Sequence, residues 1–313
     1  MKSICFFSHF HNGDIFHIKS FLRDIISQID TTYYIAHPNS DIITCDIDME
    51  YINIPIYWSK FNDTYVENRE LNKNHVNLLV GKEHTKFFST EDCFYINAWI
   101  GGYFTEDNEY NGECSLRGFY KMFKNIYKNI NQEFGTNLKL KDLNEYIPFV
   151  DYSKINCEKI KTFVEEYTSP KILICNGPAL SGQTTYNSDM AEIIIPLAEE
   201  NKNRIYICTN KFETELDNIK FTDDIFELNR CDLNEISYLS KFCNLIIGRN
   251  SGPFCFTTTK ENVNDESKIF LAFGSRETDC FLYKMKIQAS FTFDYFTTIE
   301  SLNETISELS ELI

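Results

Sequence analysis

Two short polar turns carry the residue types that could do chemistry. In the first, His11-Asn12-Gly13-Asp14 follows the apolar run Ile4-Cys5-Phe6-Phe7. A carboxylate such as Asp14 can take a proton from a hydroxyl group, and an imidazole such as His11 can hold that hydroxyl or tune the proton. Gly13 lets the backbone turn tightly before the acid. In the second, Leu245-Ile246-Ile247 runs into Gly248-Arg249-Asn250-Ser251-Gly252-Pro253. The Ser251 hydroxyl, the backbone N–H groups after Gly252 and the Arg249 guanidinium are donors suited to an anion such as a diphosphate. Pro253 fits the first turn of a helix, where its missing N–H costs nothing. Each turn has a plainer reading beside this one. Asp14 could serve only as a first-turn helix acid, contributing about 1 kcal/mol, and Ser-Gly-Pro is an ordinary strand–turn–helix link. His9 and His17 flank the first turn; His17 is read as facing the helix surface. All six histidines fall within residues 1–84, so imidazole chemistry belongs to the N-terminal half. Their spacing lacks the accompanying carboxylates of a metal site, and no metal or cofactor is expected.

Both turns need strands and helices to hold them. Ile4–Phe7 reads as a strand and Asp14–Ile26 as a helix with apolar residues at helical spacing. Tyr33–Ala36 reads as the next strand, ended by His37-Pro38-Asn39. Leu116–Phe134 reads as a helix stopped by Gly135, and Leu143–Tyr146 and Cys157–Tyr167 as further helical pieces. Residues from about 60 to 115 are less legible; they hold Trp58, Trp99, Tyr103 and Phe104, aromatic rings that could pack a core or stack on sugars. Thr168-Ser169-Pro170 is the best boundary signal. Beyond it, strands at Lys171–Cys175, Arg204–Cys208, Leu245–Ile247 and Lys268–Phe273 alternate with helices at Asp189–Glu199, Asp232–Phe242 and Thr298–Ile313. Such alternation specifies doubly wound α/β domains with parallel sheets.

The chain has 313 residues, which suits two domains, expected at 1–167 and 168–313. With 43% apolar and 15% aromatic residues, filling two cores is no difficulty. A formal net charge of -16 argues against nucleic acid and anionic membranes as partners. The 11 cysteines are scattered without a C-x-x-C pair, which fits buried thiols in a reducing compartment. No run has the length of a transmembrane helix, and the N-terminal apolar stretch is too short for a signal peptide. A cytoplasmic location is therefore expected.

Three segments, in this order, resemble one family. His11-Asn12-Gly13-Asp14 is similar to a Gly-Asp that opens the first helix. Ile174-Cys175-Asn176-Gly177-Pro178, with the helix at Asp189–Glu199, is similar to the start of a donor domain. Asp232-Leu233-Asn234-Glu235 through Gly248–Pro253 is similar to a helix, an apolar strand and an Asp-Ser/Thr-Gly-Pro turn. The family is that of the heptosyltransferase-type glycosyltransferases, glycosyltransferase family 9. Asn250 stands where the family has an acid, Cys255 where it has a His, and Ser181-Gly182-Gln183 where a basic residue is expected.

The resemblance implies a GT-B fold, two Rossmann-like domains facing across a cleft. It implies metal-independent, inverting transfer from a nucleotide-sugar donor to a glycan or other hydroxyl acceptor, as in polysaccharide biosynthesis. Asp14 is then the base, with His11 beside it. Gly13, Asn176, Gly177, Gln183, Arg249, Asn250, Ser251, Gly252 and Pro253 line the donor, while Asn210 and Glu227 flank its nucleoside. Two alternatives stand: a nucleotide-sugar epimerase or hydrolase on the same fold, and an inactive GT-B-like sugar-binding protein, which the Asn250 and Cys255 departures favour.

Overall fold

A computed structural model describes residues 2–54, 77–102, 116–178, 189–228, 230–249, 252–273 and 290–291. Trp58, Tyr103, Phe104, Ser181-Gly182-Gln183, Asn250, Ser251 and the Thr298–Ile313 helix lie outside the described residues. The chain divides into two compact units, Met1–Lys154 and Ile155–Ile313.

The first unit is built on a five-stranded sheet. In chain order its strands are β1 (Ser3–Phe7), β2 (Tyr33–Ala36), β3 (Glu50–Ile52), β4 (Phe87–Ser89) and β5 (Cys93–Asn97). Their spatial order is β3-β2-β1-β5-β4, parallel except for the β4–β5 pair. Ile4 to Phe7 and Cys93 to Asn97 are buried throughout, as central strands covered on both faces must be. Helix α1 (Asn12–Ile26) follows β1, a short α2 (Ser40–Ile43) follows β2, and α3 (Leu116–Phe134) buries the stripe Phe119, Met122, Phe123, Ile126 and Ile130. α3 is followed by Gly135 at a φ of 63°, a left-handed turn that glycine enters without strain.

Two polar clusters fix α1 in place. Lys19 and Asp46, whose side chains are both fully buried, pair at 2.6 Å, and Arg23 takes the other Asp46 oxygen at 2.5 Å. Lys19 also donates to the Ile43 carbonyl, which ties α1 to the end of α2. Further along, Asp24 accepts from Tyr127 and Tyr146 and pairs with Lys141. Phe21 stacks between Phe123 and Tyr146, with centroids 4.2 and 4.0 Å away. His17 departs from the surface position expected of it. It is fully buried and stacked on Phe119 of α3, because α1 is covered on that side by α3.

The second unit carries a six-stranded sheet of β6 (Lys171–Cys175), β7 (Ile205–Cys208), β8 (Ile219–Phe221), β9 (Leu245–Arg249), β10 (Ile269–Phe273) and β11 (Ser290–Phe291). Its order is β11-β10-β9-β6-β7-β8, with every pair parallel. Its helices are α4 (Glu158–Glu166), α5 (Ala191–Glu200), α6 (Thr222–Phe226), α7 (Leu233–Ser240), α8 (Gly252–Thr257) and α9 (Lys260–Asn264). Ile172, Ile174, Ile193, Leu197, Tyr206, Leu245, Ile247 and Leu271 form the core on one face. α4 packs on α6 and α7, so it belongs with this unit although it precedes the Thr168–Pro170 signal. No helix among the described residues is long and apolar enough to cross a membrane.

Candidate functional site

In each sheet the chain moves outward one way and then returns to the other side of its first strand. In the first unit the reversal lies between β1 and β5, in the second between β6 and β9. Such a reversal leaves a crevice beyond the carboxyl ends of the two strands, where α/β folds place ligands. Asp14 follows the first of these strand ends, and Arg249 ends β9 at the second.

Asp14 sits in the first turn of α1, just beyond the end of β1. It is the acidic residue of that turn, and the N-cap residue His11 makes no side-chain cap bond. The Asp14 carboxyl accepts the backbone N–H of Ile100, in the turn after β5, across the crevice. Oδ2 is buried without a hydrogen-bond partner among the described residues. Burial pushes this carboxyl up to about 8, with the Ile100 N–H as the weaker opposing influence. A buried oxygen lacking a donor is costly and rare in folded proteins. It is also what a proton acceptor requires before substrate arrives.

The loops around Asp14 are tied to one another. His37, fully buried after β2, accepts the Asn39 N–H at Nδ1 and lies 2.7 Å from the Phe10 carbonyl through Nε2. Those partners assign the neutral tautomer with the proton on Nε2. Asn39 donates to Asn12, and the Ala98 N–H donates to the Phe7 carbonyl. His11 is half-buried at the start of α1; burial lowers its imidazole to about 4, as it does for His9. Both rings are neutral at pH 7. Gly13, half-buried, lies between Asn12 and Asp14 in the first turn.

The second crevice is closed by a polar network. Arg249, the last residue of β9, is buried, and one guanidinium nitrogen donates to the carbonyls of Asn176 at 2.8 Å and Gly177 at 3.1 Å. Asn176 then exchanges two bonds with the backbone of Asn210, each 2.8 Å. Thr209 donates to the side-chain oxygens of Asn176 and Asn210. So Asn176, Gly177, Asn210 and Arg249 meet at the carboxyl ends of three adjacent strands, β6, β7 and β9. A Cβ at Gly177 would stand 2.6 Å from the Asn210 side-chain oxygen, so that amide would have to shift to admit one. Gly252 and Pro253 open α8 on the same edge, and a Cβ at Gly252 would meet nothing within 4 Å.

Glu227 stands apart from this network. It follows α6 in a left-handed conformation with φ 51° and pairs with Lys159 of α4. Asp232, just ahead of α7, has no counterpart among the residues picked from sequence. Burial pushes its carboxyl up to about 6. Ile100 and His37 were also missed as site residues; a polar residue directly after an apolar run is the one signal that marks His37. Among the described residues, no group of three or more His, Cys, Asp or Glu side chains is placed to hold a metal ion.

No protein-family model matches the chain, and no curated protein sequence does. Solved structures do. The ADP-heptose LPS heptosyltransferase II of E. coli superposes with a TM-score of 0.53 at 12% identity over 100% of each chain. The fold is GT-B. The E. coli heptosyltransferase WaaC, solved with ADP, gives 0.53 at 8% identity, covering 98% of this chain and 99% of that one. The same enzyme with ADP-2-deoxy-2-fluoro heptose gives 0.52 over the same shares. A GT-B chain has one Rossmann-like sheet per domain, which is what β1–β5 and β6–β11 provide.

Proposed function

We propose that this chain is an inverting glycosyltransferase of the heptosyltransferase type, metal-independent, that uses a nucleoside diphosphate sugar. The observation that carries the reading is Asp14 Oδ2, a buried acceptor with no hydrogen-bond partner among the described residues, at the switch crevice of the first sheet. In the reaction as proposed, the second unit binds the donor and Asp14 takes the acceptor's hydroxyl proton. The acceptor oxygen attacks the anomeric carbon, the bond to the diphosphate breaks, and the diphosphate leaves with the electron pair.

The Ile100 N–H fixes one Asp14 oxygen and leaves the other for the acceptor. A base that titrates near 8 is well matched to a hydroxyl proton, since its proton affinity is far above that of an ordinary carboxylate. His11, neutral, is suited to orient the acceptor. On the second unit, Asn176 and Gly177 shape the donor wall and Arg249 positions them; Asn210 completes the wall, and Gly252 leaves backbone uncovered for the diphosphate. That WaaC was solved with ADP supports a nucleotide-sugar donor here.

A second reading is an epimerase or hydrolase of nucleotide sugars, and Asp232 is the observation that favours it. Such an enzyme needs an acid or base on the donor side as well. Incubation with a panel of nucleoside diphosphate sugars and hydroxyl acceptors tests both. Glycosyl transfer abolished by Asp14→Asn supports the first reading; turnover without acceptor, abolished by Asp232→Asn but retained in Asp14→Asn, supports the second.

A further inference from the structure

Beside Asp14, the turn after β5 carries an aromatic group that the reaction as derived does not use. Trp99 is half-buried and packs on Phe10, with ring centroids 4.3 Å apart. The exposed His84 adds a third ring, 5.4 Å from Trp99 and 6.4 Å from Phe10. The indole is held in place rather than merely present. The Trp99 backbone N–H donates to the buried Asn97 side chain, whose amide donates to the Glu83 carbonyl. A Cβ on Gly101 would lie 2.6 Å from two indole carbons, so the Gly101 backbone lies directly against the ring. The next residue, Ile100, is the one that anchors Asp14.

We propose that Trp99, backed by Phe10, is the platform for the acceptor, and that this acceptor is an uncharged hexopyranose ring. The inference rests on the glycosyltransferase reading and names the substrate class of that same site. A pyranose has an apolar C–H face that lies on an indole and a hydroxyl rim that accepts from an indole N–H or an imidazole. A single rigid turn then sets both the ring and the base that deprotonates it. The charge around the platform decides the class. His9, His11 and His37 are neutral here, so none of these imidazoles offers a positive charge to an acidic sugar, and Glu83 acts electrostatically on His9. With a formal net charge of -16 over the chain, a carboxylated or phosphorylated sugar is repelled.

The chain has two tryptophans, so Trp58→Phe leaves Trp99 as the sole indole reporter. Titration of that full-length variant with methyl β-glucoside and methyl β-galactoside should change its emission saturably for at least one of them. The matching methyl glucuronide and a sugar phosphate should bind about tenfold more weakly or worse. In the transfer assay Trp99→Ala should raise the acceptor KM about tenfold, and Trp99→Phe, which keeps a stacking face, should raise it less. Asp14→Asn in the Trp58→Phe background should retain the emission change while losing transfer. An emission change with no transfer from any donor would refute the glycosyltransferase reading and uphold the platform. Transfer with no emission change and an unaltered acceptor KM in Trp99→Ala would overturn the platform. Equal binding of the glucuronide would overturn the uncharged class.

Discussion

Replacing Asp14 by Asn should make the protein more stable and inactive at once, and the stability gain should grow with pH. In the folded chain burial raises this carboxyl from 3.8 to about 8. A folded-state value above the unfolded one means that ionisation disfavours the native state. The stability present at acid pH is therefore lost as pH rises from the unfolded value through the folded one. At about 1.36 kcal/mol per pH unit, the penalty approaches about 6 kcal/mol by pH 9, about 4 at pH 7 and under about 2 at pH 5. Asn cannot ionise, and its carbonyl still accepts the Ile100 N–H. The difference in unfolding free energy, variant minus wild type, should thus rise by about 4 kcal/mol between pH 5 and pH 9. Urea unfolding of both proteins at pH 5, 7 and 9, followed by circular dichroism, gives that difference at each pH. A difference that stays flat across the range would refute burial as the cause of the raised Asp14 carboxyl.

The same carboxyl should govern rate. kcat/KM should climb from pH 6 and level off above about 8, because the base works only when ionised; a profile flat from pH 5 upward would exclude it. The glycines of the second unit should separate cleanly. A Cβ at Gly248 meets the Cys175 Cβ at 2.6 Å and its carbonyl oxygen at 3.2 Å, whereas one at Gly252 meets nothing. Thermal melting should show Gly248→Ala losing about 2–3 kcal/mol and Gly252→Ala less than about 1. Arg249→Leu leaves the Asn176 and Gly177 carbonyls without their donor, and should raise the donor KM and lower stability by about 2 kcal/mol, read by kinetics and melting together. Asp24→Asn should cost about 2 kcal/mol at neutral pH, because the charge-assisted bonds from Tyr127, Tyr146 and Lys141 weaken. Those bonds hold the Asp24 carboxyl below the usual range against the opposing effect of burial. This contribution is present above the unfolded value and fades as pH falls through the lower folded one, so wild type and variant should converge in acid.

Four strands of the second sheet, β6, β7, β9 and β10, were legible because they are continuous apolar runs. Lys171–Cys175 and Leu245–Ile247 announce buried parallel strands, and each ends on a polar turn. In the first sheet β1 and β2 were equally plain. β4 and β5 were not, since their turn is Thr90-Glu91-Asp92, closed by the Thr90 side chain rather than by Gly or Pro. β3 and β8 have three residues each and lie on sheet edges, too short to show alternation. Of the site, Asp14 and Arg249 could be named from the turns that hold them. Their partners could not. Ile100 reaches Asp14, and Asn176 and Gly177 reach Arg249, only because strand order brings distant loops to one crevice. For the same reason His17 looked like a surface residue: nothing in α1 says that α3 covers it.

Glycosyl transfer as proposed turns on Asp14 removing the acceptor proton. The direct measurement is single-turnover transfer by wild type and Asp14→Asn, with a donor that melting-shift screening shows to bind both. Formation of glycosylated product at least 100-fold slower in the variant, about 2.7 kcal/mol of lost transition-state stabilisation, is the predicted result. Transfer by Asp14→Asn at the wild-type rate, with donor bound equally well, would contradict it.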